Sequence, residues 1–155
     1  MLRAVAGPSA SVASAPTFSA YMTNNVGLAG GVETKATLDV VEYNIGGYYS
    51  SANSRFTPLI QGYYQVNASG RATGTGVSSM WFNLRKNGSN LFRLIESQAG
   101  GLTICGSAML YMNGTTDYFE LWGQVSSTSG AAFDTAGNTT GQFGPRMSAF
   151  LARAV

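Results

Sequence analysis

The sequence predicts an all-β domain, and three observations carry that reading. Gly, Asn-Gly and Ser/Thr clusters punctuate the chain every 8–15 residues. The runs between them are rich in Val, Ile, Tyr, Phe and Trp, the residues that fit a pleated, half-buried surface. Helical periodicity is hard to find after Pro16. Many short strands joined by tight turns imply a sandwich, jelly roll or barrel.

The first sixteen residues, MLRAVAGPSASVASAP, are small and weakly apolar. Pro8 and the serines interrupt any apolar run, so the stretch of about 7–15 apolar residues that a signal peptide needs does not form. Residues 1–16 are expected to be a docking arm and residues 17–155 a single domain. Strands are expected near Thr17–Thr23, Ala36–Tyr43, Tyr48–Ser50, Gly62–Ser69, Val77–Lys86, Leu91–Ser97, Leu102–Met112, Tyr118–Val125 and Met147–Ala154. Asn87-Gly88 and Asn113-Gly114 read as hairpin connections, because Asn-Gly favours left-handed turn geometry. Asn24–Lys35 and Ser126–Pro145 read as long small-residue loops, the second as a surface excursion.

Strand alternation separates faces. Met80, Phe82 and Leu84 share one side, and Trp81, Asn83 and Arg85 the other. Phe119 and Leu121 lie opposite Tyr118, Glu120 and Trp122. The second side of each strand is mixed but aromatic, which suits an oligomer contact.

Composition narrows the function. Charged residues make up 10% of the 155, with 9 basic and 7 acidic side chains and a net charge of +2. No basic run is present, so neither nucleic-acid binding nor membrane insertion is expected. No stretch approaches the roughly 18 apolar residues of a transmembrane span. There is no histidine, which removes Ser-His-Asp and Cys-His catalysis and His-ligated zinc. One cysteine, Cys105, allows no intrachain disulfide, and beside Ile104 it reads as a buried, inert thiol. The acids Glu33, Asp39, Glu42, Glu96, Asp117, Glu120 and Asp134 are dispersed, so no metal and no cofactor is expected. Of the Asn-x-Ser/Thr sequons at Asn67, Asn87, Asn113 and Asn138, Asn87 and Asn113 read as turn formers. A surface with so few charges is expected to be partly covered by copies of itself or by other proteins.

The order of short motifs adds a resemblance. Phe18-Ser19-Ala20 is followed by Tyr43-Asn44-Ile45-Gly46-Gly47-Tyr48-Tyr49, Arg55-Phe56-Thr57-Pro58 and Gly62-Tyr63-Tyr64. Then come Leu84-Arg85-Lys86-Asn87-Gly88, the run Ser107–Gly114, Asp117-Tyr118-Phe119-Glu120-Leu121 and Met147-Ser148-Ala149-Phe150-Leu151. From Phe18 to Ala154 this resembles the globular head of the complement C1q family, related in fold to tumour necrosis factor (TNF). The resemblance implies a ten-strand jelly-roll β-sandwich, a compact homotrimer, and binding rather than catalysis. It implies that one of Tyr63 and Tyr64 enters the core and the other the threefold contact, with Phe119 or Leu121 and Phe150 also near the axis.

The expectation is a non-enzymatic virion protein, made in the host cytoplasm and placed on a bacteriophage capsid as a decoration or cement trimer. Met1, Leu2, Arg3 and Val5 would dock on capsid or tail proteins. The alternative is a receptor- or glycan-binding tip of a tail fibre, or a secreted C1q-like binding module. Phe133, Asn138 and Phe143 would then read the host-surface ligand.

Overall fold

A computed structural model of the chain describes residues 15–97, 103–135 and 144–155. Twelve strand segments occur among them: β1 (Thr17–Tyr21), β2 (Thr34–Lys35), β3 (Val40–Ile45), β4 (Tyr49–Ser50), β5 (Arg55–Phe56), β6 (Gly62–Thr75), β7 (Ser79–Lys86), β8 (Ser89–Ser97), β9 (Thr103–Met112), β10 (Phe119–Ser126), β11 (Ser129–Phe133) and β12 (Arg146–Ala154). Two antiparallel sheets face each other. The first runs β9-β6-β12-β1-β3, with β11 on the far end of β6. The second runs β4-β5-β10-β7-β8, with β2 beside β10. The chain crosses repeatedly between the sheets, as in a jelly roll.

The core is aromatic at one end. Phe18 stacks on Tyr49 and Phe56 at centroid distances of 4.7 and 4.6 Å, and Phe119 and Tyr64 lie 5.2 and 5.8 Å from Phe56. Tyr49 Oη donates to the Leu38 carbonyl and Tyr64 Oη to that of Ile60, so neither buried hydroxyl is left without a partner. At the other end Phe82 and Phe133 stack at 5.6 Å. Gly123 makes room for that pair, because a Cβ there would lie 2.8 Å from both rings.

Three expectations are corrected. Ser126–Pro145 is not a free excursion: its first part forms β11, which pairs with β6, and Phe133 is fully buried. β6 accordingly runs on to Thr75, since Gly70 and Ala72 keep the inward alternation past Ser69. Asn113-Gly114 is not a hairpin but a crossover, as β9 belongs to the first sheet and β10 to the second. Asn113 Oδ1 accepts from the backbone N–H groups of Thr115, Thr116 and Asp117 at 2.9–3.0 Å, and Asp117 Oδ2 accepts from the Asn113 N–H. Gly114 has φ +72°, and a Cβ there would lie 2.4 Å from the Gln61 nitrogen. By contrast Asn87-Gly88, with φ of 52° and 79°, closes the β7–β8 hairpin.

Candidate contact face

Cross-strand register arranges the outer face of the first sheet in rows. Tyr111 of β9 lies beside Tyr63 of β6, with ring centroids 5.5 Å apart. The next row is Met109, Gln65, Phe150, Thr17 and Ile45, followed by Ser107, Asn67, Ser148, Ser19 and Tyr43. Tyr43, Ile45, Tyr63, Met109, Tyr111 and Phe150 are all exposed. Around the sheet corner the patch meets β8, whose Leu91 and Phe92 are also exposed. The β7–β8 register shifts between Leu84 and Arg85, where Leu91 is the extra residue on β8 and Phe92 pairs with Leu84.

Toward the other end of the same face the side chains become small. Asn67, Ser69, Cys105, Ser107, Arg146 and Ser148 line an open hollow of about 360 Å³. Cys105 is exposed, which corrects its expected burial: alternation along β9 turns Ile104 inward and Cys105 out.

The expected contact residues divide. Tyr64, Phe119 and Leu121 are fully buried in the chain's own core and present nothing to a second copy. Tyr63 and Phe150 are 43% and 46% exposed on the outer face. Tyr43, Ile45, Met109 and Tyr111 were not anticipated. Their signal was present as apolar alternation, but alternation alone does not say which face looks outward. Phe133 is in the core, so it cannot read a ligand. Met1, Leu2, Arg3, Val5, Asn138 and Phe143 lie outside the described residues.

The outer face of the second sheet, where Trp81, Tyr118 and Trp122 were read as contact aromatics, is instead closed by the chain's own cations. The guanidinium groups of Arg55, Arg85 and Arg93 lie 3.6, 3.8 and 4.6 Å from the ring centres of Tyr118, Trp122 and Trp81. Glu120, its side chain 4% exposed, sits among them. It accepts from Lys35 Nζ at 2.8 Å, Arg55 Nε at 3.0 Å and Trp122 Nε1 at 3.0 Å. Glu33 bonds Asn83 Nδ2 and Arg85. These polar groups pair with one another, Asn83 Oδ1 excepted, which leaves the first sheet as the face with unmet apolar surface.

Burial alone would raise the Glu120 carboxyl, but the hydrogen bonds from Lys35, Trp122 and Arg55 outweigh it and hold the group below its ordinary value of 4.5. Asp117 is held below 3.8 in the same way, with burial opposed by Lys86, Asn87 and the Asn113 N–H. A carboxyl depressed in the folded state stabilises fully above its unfolded pKa and loses that contribution as pH falls through the folded value. The thermal midpoint is therefore expected to be flat from neutral pH to about 5 and to fall steeply in stronger acid. A scan of Glu120→Gln should show a lower plateau and a shallower acid fall. An equally steep fall would show that Glu120 is not among the groups responsible.

Among the described residues no group of three or more His, Cys, Asp or Glu is placed to hold a metal, and no helix is long and apolar enough to cross a membrane.

These two sheets, in this strand order, define a jelly roll of the C1q/TNF type. No family model matches the chain, and no curated protein sequence matches it. Solved structures do. Murine APRIL at pH 8.5 superposes with a TM-score of 0.62 at 11% identity, covering 88% of this chain and 98% of that one. Vertex protein P5 of the phage PRD1 gives 0.61 at 13% identity, covering 90% of this chain and 74% of the other. The globular domain of zebrafish complement 1qA gives 0.51 at 14%, covering 91% and 99%. At such identities the likeness is one of fold.

Proposed function

We propose that the chain is a non-catalytic virion protein that works as a homotrimer, decorating a phage capsid and attached through residues 1–16. The observation that carries the assembly is the exposed apolar face of the first sheet and its continuation onto β8. At roughly 80 Å² of remaining surface per half-exposed ring or long chain, the six large side chains on the first sheet alone present on the order of 500 Å², toward the top of what monomers tolerate. The patch has two unlike parts: a ridge of Leu91, Phe92, Met109 and Tyr111 where β8 and β9 adjoin, and a strip of Phe150, Ile45 and Tyr43 across β12 and β3. Unlike surfaces that fit one another form a head-to-tail contact, which closes into a ring when the rotation permits. A closed ring satisfies both parts in every copy, and three is the number that the C1q/TNF resemblance implies.

The likeness to a phage vertex protein supports a place on a virion. The low charge, 10% of residues, suits a molecule much of whose surface is covered by protein. Three arms per trimer multiply weak individual contacts with the shell. The test is incorporation into particles. Full-length chain should co-purify with virions, and a chain lacking residues 1–16 should assemble as a trimer yet be absent from them. Equal incorporation of both would overturn attachment through the arm.

A further inference from the structure

We propose that Glu42 and Arg146 form an acid-release lock in the contact between copies, firm at neutral pH and open in acid. This deepens the reading above and rests on a second copy covering the first sheet. Glu42 on β3 accepts from Ser19 Oγ at 2.7 Å through Oε2 and pairs with the Arg146 guanidinium through Oε1. The arginine also lies 5.7 Å from the centre of the Tyr21 ring and lines the hollow. Three adjacent strands, β3, β1 and β12, thus hold one ion pair beside the exposed Tyr43.

Other charges do not share this position. Asp39, just ahead of β3, accepts from Thr23 and Asn24. Arg71 of β6 pairs with Asp134. The groups facing Glu42 are Ser19 and Tyr21 of β1 and Arg146 of β12, and beyond Arg146 in the same row lies the neutral Ser69 of β6.

In a single copy the pair is about one-third exposed, 34% for Arg146 and 36% for Glu42, so water screens it. A second copy seated on the face strips that water away. The intact pair is neutral as a unit, and its attraction, strengthened as water leaves, offsets the cost of desolvating the two ions. Protonated Glu42 leaves the arginine as an uncompensated cation in an apolar contact, an arrangement that costs far more than the same cation in water. Phe and Met contacts carry no such dependence.

The sign follows from linkage. The hydrogen bonds of Ser19 and Arg146 already hold Glu42 below its ordinary value of 4.5; loss of water raises the carboxyl by desolvation and lowers it by strengthening the attraction of Arg146, and the lock requires the second effect to win. Separated copies then bind more protons than the assembly, and acid favours separation. Association should weaken by up to about tenfold per copy per pH unit in the window below pH 4.5, between the two states' values.

Sedimentation velocity of the full chain, stepped from pH 7.5 downward, reads this directly, with tryptophan fluorescence reporting the fold at each step. The wild type should dissociate before its fluorescence changes. Glu42→Gln should associate more weakly at neutral pH and with a flattened pH response. Arg146→Gln leaves the carboxylate uncompensated, so its response should reverse, with association improving in mild acid. A wild type that assembles at neutral pH and parts only on unfolding would overturn the lock and leave the trimer standing. So would a Glu42→Gln curve as steep as the wild type's. A wild type of single copies at every concentration at neutral pH would overturn the second-copy reading itself.

Discussion

Phe150→Asp should leave single, folded copies under conditions where the proposed assembly makes the wild type sediment as three. Phe150 sits on β12, inside the first sheet, with Gln65 and Thr17 on either side and Ile45 beyond. Nearly half of its surface faces water in the isolated chain. An aspartate there remains hydrated in a lone copy, so the fold should change by no more than about 1 kcal/mol. In the proposed assembly the same carboxylate would be buried against apolar side chains with no partner, and a buried unpaired charge costs several kcal/mol. The association constant should fall at least about 100-fold, which is near 3 kcal/mol. Sedimentation equilibrium gives the mass and near-ultraviolet circular dichroism gives the packing. A variant that remains trimeric would remove Phe150 from the contact.

Phe119→Ala should have the opposite signature: a large loss of stability, with association following only because the subunit itself is weakened. Phe119 is fully buried, within 5.2 Å of Phe56 and 6.3 Å of Phe18 by ring centres. Truncating a buried phenylalanine leaves a cavity that the surrounding rings cannot fill, at about 3–5 kcal/mol. For a chain of this size that lowers the thermal midpoint by roughly 10–15 °C. Thermal unfolding of this variant in a Phe150→Asp background isolates the subunit from the assembly. An unchanged midpoint there would return Phe119 to the contact, where the family resemblance had placed it.

The pair shows how far sequence reasoning reaches. Phe119 and Leu121 were correctly grouped on one side of β10, and Met80, Phe82 and Leu84 on one side of β7, because alternation along a strand is local. Which side looks into the sandwich is not local. On β6 the inward side carries Tyr64, Val66 and Ala68, so Tyr63 is left outside. On β3 the apolar Tyr43 and Ile45 point outward beside Ser19 and Thr17, while past a bulge at Glu42 the phase changes and Val41 pairs with the buried Ala20. A reader who sends every apolar alternation inward mistakes that strand for a core strand.

The same limit applies to polar groups. Glu120 stands three residues after Asp117, and nothing in that spacing announces Lys35 and Arg55, which reach it from 85 and 65 residues away. Nor does the sequence announce that Arg55, Arg85 and Arg93 would cover Tyr118, Trp122 and Trp81 and so withdraw the second sheet from contact. β11 was missed for a related reason. Ser129–Phe133 is short and Gly-interrupted, and becomes a strand because the far end of β6 offers it an edge.

By itself the sequence determined what depends on neighbours along the chain: the all-β class, most strand positions, the Asn87-Gly88 turn and the two-sided character of each strand. Tertiary structure alone decided the phase of those sides, the crossover at Asn113-Gly114, the partners of Glu120, and which sheet keeps an apolar face open. Alternation has a period but no absolute sign. The sign is set when two sheets choose the sides that close a core, and what they leave outside is what another molecule can touch.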